Sequence, residues 1–378
     1  MSNPDILILG GGLAGLAVAH ALGGRGLRVR LVEQGPQLGA EASAQNAAMA
    51  RRLVLSAPER ALAQVSVPLL AAPPWEGPPL LRRTGGLVGV VDPAALPPYE
   101  AVARALAAAG VAVERPTAAD LPPALRGAAL AGAFLLPDDG LVDVDALVQG
   151  FSRAARAGGV EIHSGRRAGR LLREGPRVIG AEIDGEPVFA GATVLAGGAW
   201  TPQLLEAAGL GLPLRPLARH LLQSEAHPLS SADHPWCWLD DVGLYVRPEG
   251  GGWLCSPCDE RQRAPAPGPG SAGPVEDAGR DLLARKLLAH LPALGELRLR
   301  GGWTGLRTFF VDRHPLLGPD LRAPGLTLAA GLGGCGVSVA FAAGALVAAS
   351  LCGTAPPVGL NPADFSPGRP VQELRHGA

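Results

Sequence analysis

The chain opens with an apolar run, residues 5–9, followed by Gly10-Gly11-Gly12-Leu13-Ala14-Gly15. An apolar stretch, Leu16–Leu22, comes next, and a second run, Leu27–Val32, ends at Glu33. Short apolar runs bounded by glycine read as buried strands, and the stretch between these two reads as a helix. Strand, glycine turn, helix, strand and acid within about 30 residues form the pattern of a dinucleotide-binding unit. Gly10 makes the tight turn, Gly12 lets the backbone approach a pyrophosphate, and Gly15 lets the helix close onto the strand. The helix start offers N–H groups and a positive dipole end to phosphates. Glu33, 18 residues after Gly15, can accept hydrogen bonds from a ribose. An acid at this place disfavours a 2′-phosphate, so FAD or NAD is preferred to NADP.

The middle of the chain is punctuated by Pro73-Pro74, Pro78-Pro79, Pro97-Pro98 and Pro122-Pro123. The pattern predicts helices over Leu96–Ala109 and Val144–Ala157, then a strand over Val160–His163. Short strands are predicted at Ala168–Arg173, Val178–Asp184 and Val188–Phe189. They lead to an apolar strand, Thr193–Ala196, closed by Gly197-Gly198-Ala199-Trp200. This order suggests the second half of a nucleotide-binding domain. Residues 261–274 read as a mobile, Pro/Gly/Ala-rich surface loop, Arg280–Leu291 as a helix and Leu326–Ala330 as a strand. The strand runs into a glycine cluster, Gly331, Gly333, Gly334 and Gly336, and then an apolar helix, Val337–Leu351. Residues 323–363 carry no charge, but prolines and glycines break them. The helical part, about 15 residues, is shorter than the roughly 20 needed to span a bilayer.

Composition narrows the class. At 378 residues the chain exceeds the size of one typical domain. Hydrophobic residues make up 47% and charged residues 18%, which fits a large core and argues against disorder. The net charge of −1 leaves no basic excess for nucleic acid. With 53 glycines and 37 prolines but no three-residue period, collagen is excluded. Lys286 is the single lysine, so arginine carries nearly all the positive charge. A lone arginine therefore means little unless its position supports it. Five cysteines scattered through a long chain do not make a disulfide framework. No basic start or small-residue cleavage site precedes the first strand, so a cytoplasmic location is expected.

Taken with their order and spacing, several segments resemble the D-amino acid oxidase superfamily of FAD proteins, nearest its glycine oxidase and D-arginine dehydrogenase branch. They are residues 6–15 with Glu33, the loop 42–49, residues 194–200, Gly243–Pro248, Trp303–Thr308, Asp312–Gly318 and Gly331–Ser338. Coverage is weakest over 60–140 and 220–300. The resemblance implies an α/β protein. A Rossmann-type FAD domain would be assembled from residues 1–60, 140–215 and 300–378. A discontinuous α+β substrate domain on a mixed sheet would come from 61–139 and 216–299.

The resemblance further implies FAD, bound non-covalently because no cysteine stands near Leu306, where sarcosine oxidases with covalent flavin carry one. Implied cofactor contacts are Gly10, Gly12, Leu13, Ala14, Gly15, Glu33 and Gln34, and the loop Ser43, Ala44, Gln45, Asn46, Ala47 and Ala48. Ala168, Ala196, Gly197, Trp200 and Arg307 join them, as do Gly333, Gly334, Gly336, Val337 and Ser338 at the second glycine-rich helix start. That helix end would face the flavin and stabilise negative charge on it. Arg307 matches an arginine that pairs with a substrate carboxylate, for which a planar guanidinium is suited. Tyr245 matches a tyrosine touching the same carboxylate. Arg219 matches an arginine of the dehydrogenase branch, and Met49 stands where that branch has a histidine. No acid lies in the Arg82–Gly86 region, where that branch binds a basic side chain, so a small or apolar side chain is favoured.

The implied reaction oxidises the C–N bond of a small amino acid. Hydride passes from Cα to flavin N5, giving an imine and then a 2-oxo acid, with no side chain required as base. Oxygen, or a quinone or other electron carrier, would reoxidise the flavin. Glycine or sarcosine oxidation, secondary-amine or imino-acid oxidation, hydroxy-acid oxidation, and a role as the FAD-binding subunit of a larger dehydrogenase stand as alternatives. Cys255-Ser256-Pro257-Cys258 is a lone CxxC without a second pair, and reads as two ordinary thiols. His220, His227 and His234 straddle helix-breaking prolines, so no metal is expected.

Overall fold

Ile6–Leu9 sits near the middle of a six-stranded sheet, and all four of its side chains are buried. Strands covered on both faces read as continuous apolar runs, which is why an unbroken apolar stretch bounded by glycine marks this one so clearly. The order across the sheet is Leu316–Pro319, Leu326–Ala330, Ala192–Leu195, Ile6–Leu9, Val29–Glu33 and Glu161–Ser164. Five strands are parallel and the edge strand Leu316–Pro319 is antiparallel. The structure is a computed structural model, and it describes residues 3–371.

The helix Leu13–Leu22 packs between the apolar helix Gly336–Cys352 and the amphipathic helix Val144–Ala157. Gly344 makes the first of these contacts possible, since a Cβ there would strike the Ala17 backbone. A fourth helix, Ala57–Ala71, also lies against Gly336–Cys352. Sequence pattern does not predict it, because Pro58 and Pro68 break the apparent helical run. Pro58 sits in the first turn, where its missing N–H costs nothing, and Pro68 sits in the last turn. The core beneath the six-stranded sheet takes in Leu62, Ala63, Val67, Leu70 and Leu80, which lie beyond residue 60. Among the described residues no helix is long and apolar enough to cross a membrane.

A second, eight-stranded sheet is mixed, as expected. Gly86–Val90 and Trp236–Leu239 run parallel, while the remaining pairs are antiparallel. Its spine is the long pair Leu214–Ser224 and Leu299–Phe310, in register from Leu214 opposite Phe310 to Gln223 opposite Gly301. The three expected short strands form a separate antiparallel meander, Ala168–Glu174, Arg177–Ile183 and Glu186–Phe189. The chain returns from the second sheet to the first through Asp312. Arg369 clamps Asp312 with Nε at 2.7 Å and a second guanidinium nitrogen at 2.8 Å.

Candidate active site

A long cavity runs along the ends of the parallel strands, from Glu33 and Gln34 past the first helix start to Gly333, Gly334 and Gly336. Ligands of open parallel sheets bind at this edge. At its centre the Leu13 N–H donates to Ser43 Oγ at 2.9 Å, and the first helical turn holds no acid that would oppose an anion. Gly10 has φ +112°, and a Cβ on Gly15 would collide with the Gly10 carbonyl oxygen. Glu33 lines the cavity and is nearly buried. One carboxylate oxygen accepts the Gly11 N–H at 2.7 Å and the other the Gly35 N–H at 2.7 Å. Burial pushes its pKa up, and these amides oppose the shift. Each oxygen keeps a lone pair for a ribose hydroxyl.

Of the remaining residues implied as cofactor contacts, Ala14, Asn46, Ala168, Ala196, Gly197, Trp200, Arg307 and Val337 also line this cavity. Gly15 instead serves helix–strand packing. Asn46 holds its own loop: its side-chain NH₂ donates to the Ser43 carbonyl, and its Oδ1 accepts the Ala48 N–H at 2.6 Å. That bond fixes Ala48 at φ +58°. Gln45 points elsewhere, but its carbonyl accepts from the Arg307 guanidinium.

A second, smaller cavity adjoins the first and shares Asn46, Arg307, Gly334 and Val337 with it. All four residues implied as substrate contacts, Met49, Arg219, Tyr245 and Arg307, line it. Strand alternation explains this convergence. Arg219 lies opposite Gly305, two residues before Arg307, and Tyr245 lies opposite Trp238. Side chains two apart, or paired across neighbouring strands, point to one face. Arg307, Arg219, Tyr245 and Trp238 therefore look toward the same space. Ala47, Ala48 and Ser338 line this cavity rather than the longer one.

The three arginines of the second cavity differ in how they are compensated. Arg219 is bound by Glu260 at 2.6 Å, while its Nε is buried with no partner among the described residues. Arg51 pairs with Glu59 at 3.2 Å and Asp240 at 3.5 Å. Arg307 is 5% exposed and reaches only the carbonyl oxygens of Gln45 and Leu306; among the described residues it has no carboxylate partner. Burial without such a partner pushes its pKa down to about 10. A ligand carboxylate would supply the missing counter-charge. Burial also raises the Tyr245 pKa, so its hydroxyl stays protonated and able to donate. Sequence pattern passed over Arg51, Trp238 and Cys335, which also line the cavity.

Residues 261–274 form a largely exposed surface loop, as expected, but it is tied to the rim of the long cavity. Glu41 accepts the Gly270 N–H at 2.6 Å, the Ser271 N–H at 2.9 Å and the Ser271 hydroxyl. Trp200 Nε1 donates to the Ala266 carbonyl at 3.1 Å, and Ser271 itself lines the cavity. Burial works against the Glu41 charge, but the Ser271 hydroxyl and the two amides outweigh it and hold its pKa below the usual value. A depressed carboxylate stabilises the latched form above its unfolded pKa and loses that contribution as pH falls through the folded one. Glu41→Ala is expected to speed FAD release about tenfold at neutral pH. In the parent protein release should accelerate only in acid below the ordinary carboxylate range. Stopped-flow recording of the flavin fluorescence gain on release checks both.

The lone CxxC is split by the sheet. Cys255 faces the core with Leu222 and Val246, while Cys258 lies with Tyr245 and Trp238 on the cavity side. Burial raises both thiol pKa values, Cys255 to about 12. His220 is tied to Asp259 by a 2.7 Å contact and accepts the Glu276 N–H at 3.1 Å.

A family model described as FAD dependent oxidoreductase matches residues 5–350, nearly the whole chain. The chain belongs to the FAD-dependent oxidoreductase family. Curated relatives in this family include the D-amino acid dehydrogenase of Methylobacterium nodulans, 30% identical over 235 residues, 60% of this chain and 52% of that protein. That of Cereibacter sphaeroides is 29% identical over 245 residues, 62% of this chain and 53% of that protein. The chain thus spans about half the length of the curated relatives it matches. Among solved structures, L-proline dehydrogenase from P. horikoshii superposes with a TM-score of 0.82 at 19% identity, covering 97% of both chains. Glycine oxidase from Geobacillus kaustophilus superposes with a TM-score of 0.80 at 24% identity, covering 98% of this chain and 100% of that one. The fold is accordingly the family's: a Rossmann-type FAD-binding layer with a substrate layer on a mixed sheet. The long cavity suits the family's cofactor, because glycine backbone and an acid-free helix start stand where a pyrophosphate must come close.

Proposed function

We propose that the protein oxidises the C–N bond of a small amino acid, in the manner of a D-amino acid dehydrogenase or oxidase. The observation that carries this reading is Arg307, a buried cation without a carboxylate partner among the described residues, where the long and short cavities meet. The residues proposed to hold FAD are those lining the long cavity, from Gly10 and Glu33 to Gly336, with no covalent link. FAD supplies the two-electron acceptor for the hydride that leaves Cα.

The protein's own part is positioning. Arg307 grips the substrate carboxylate with two parallel hydrogen bonds, and the Tyr245 hydroxyl donates to it. Arg219 adds a second positive charge, and its unpartnered Nε is a further donor for the same carboxylate. Fixing the carboxylate fixes Cα relative to the long cavity. Met49 and the Ala47–Ala48 backbone close one side and leave little room for a side chain. The amine binds deprotonated, so no residue is assigned as base. The imine product hydrolyses to a 2-oxo acid and ammonia, or to a free amine when the nitrogen is substituted.

Anaerobic mixing of the FAD-loaded protein with D-, L- and N-methyl amino acids tests the reading. Loss of the yellow flavin colour with one or more small members is expected. FAD that binds but keeps its colour with every member would instead favour a partner-dependent subunit. Peroxide release against dye reduction then separates oxidase from dehydrogenase.

A further inference from the structure

We infer that Arg51 is a specificity-determining residue that closes the side-chain end of the second cavity and masks a latent cation site formed by Glu59 and Asp240. The inference rests on the proposed reaction and names the substrate class of that same site: amino acids with small, uncharged side chains.

Arg51 lines the second cavity and is not among the residues that the two cavities share. It is held from both layers. Glu59 comes from the helix Ala57–Ala71 of the first layer, and Asp240 follows the strand Trp236–Leu239 of the second. The guanidinium lies 4.0 Å over the Trp238 ring, a cation–π contact that fixes it as a flat wall. Its own backbone N–H donates to Ser338 Oγ at 3.0 Å. To move the guanidinium, a bulky substrate side chain would have to break both ion pairs and the cation–π contact.

Charge decides between the remaining classes. One guanidinium between two carboxylates leaves a net negative charge, and neither carboxylate lines the cavity. An acidic side chain drawn toward Arg51 meets two carboxylates already in possession of it. A basic side chain meets the guanidinium first. Both are disfavoured, and small uncharged groups remain. Without Arg51 the logic reverses. Asp240 stays in place, because Tyr99 Oη donates to its Oδ2 at 2.9 Å and its backbone N–H reaches the Gly89 carbonyl. Glu59 stays as well, because its N–H donates to Ser56 Oγ at the helix cap. Two partly buried carboxylates then flank the volume that the Arg51 side chain vacates, an arrangement that favours a cationic ligand.

The test uses the FAD-loaded protein and its Arg51→Ala variant with D- and L-arginine and citrulline, which match in length and differ in the charge of the tip. The parent is expected to exclude both, and the Arg51→Ala variant to accept arginine over citrulline by about tenfold or more in kcat/KM. Equal values for the two in the variant, or a gain for glutamate instead, would overturn the inference. If Arg51→Ala does not fold, the triple variant Arg51→Ala, Glu59→Gln, Asp240→Asn removes the buried repulsion. It is expected to accept leucine and citrulline without preferring arginine, and continued exclusion of both would reject the wall. The same ratio read as binding, from perturbation of the flavin absorbance by each ligand, does not require turnover. A parent protein that no amino acid bleaches would count against the proposed reaction, while the binding ratio would still judge Arg51.

Discussion

Replacing Arg307 with methionine is expected to raise KM for the amino acid by roughly a hundredfold to a thousandfold while FAD remains bound. The guanidinium is buried and without a carboxylate partner, so in the free protein its charge is held at a cost that a ligand carboxylate relieves. Truncating one partner of a buried, hydrogen-bonded charge pair costs about 2–5 kcal/mol. Arg307→Lys keeps the charge but loses the planar fork, and should fall between the parent and the methionine variant. Because Arg307 also holds the Gln45 carbonyl, the flavin content of each variant must be measured beside its kinetics. A methionine variant with parental KM and full flavin would remove Arg307 from the site.

Gly15→Ala is expected to abolish retention of FAD through gel filtration and to lower stability by roughly 1–3 kcal/mol or more. A Cβ at this position meets backbone, the Gly10 carbonyl oxygen, and not the yielding end of a side chain. Either the helix Leu13–Leu22 moves off the strand or the turn at Gly10 opens. Both displace the helix start at Gly12 and Leu13, and the Ser43 hydroxyl bound to it, from the place where a pyrophosphate would come close. Thermal unfolding together with flavin content after gel filtration checks the expectation. A variant that stays yellow and melts with the parent would mean that the turn is not the phosphate cradle.

The parallel sheet and its glycine turn are legible in the sequence because each signal there is local. Apolar runs, glycine spacing and an acid sit within one short segment, and burial on both faces leaves no alternation to misread. The convergence of Arg307, Tyr245, Arg219 and Met49 on one cavity is not local. Spacing alone does not reveal it, since their strands meet only through the register of the second sheet. Resemblance to the family brought these four forward. Arg51, Trp238 and Cys335 escaped because no motif marks them, and in a chain so rich in arginine a single one carries no signal. The anchoring of the surface loop 261–274 is hidden for a related reason. Its proline, glycine and alanine composition is that of a solvent-exposed loop, but its order comes from Glu41, more than two hundred residues earlier in the chain. The helix Ala57–Ala71 was hidden by two prolines that stand where a helix tolerates them.

We propose that a cofactor along the first glycine turn and the Arg307 guanidinium together form one binding site for a carboxylate. Titration of the FAD-loaded protein with an unreactive carboxylate such as benzoate, followed by flavin absorbance, tests it most directly. A saturable shift of the flavin spectrum that disappears in Arg307→Met is the predicted result. A spectrum that does not respond in the parent protein, or that responds equally in the variant, would contradict it.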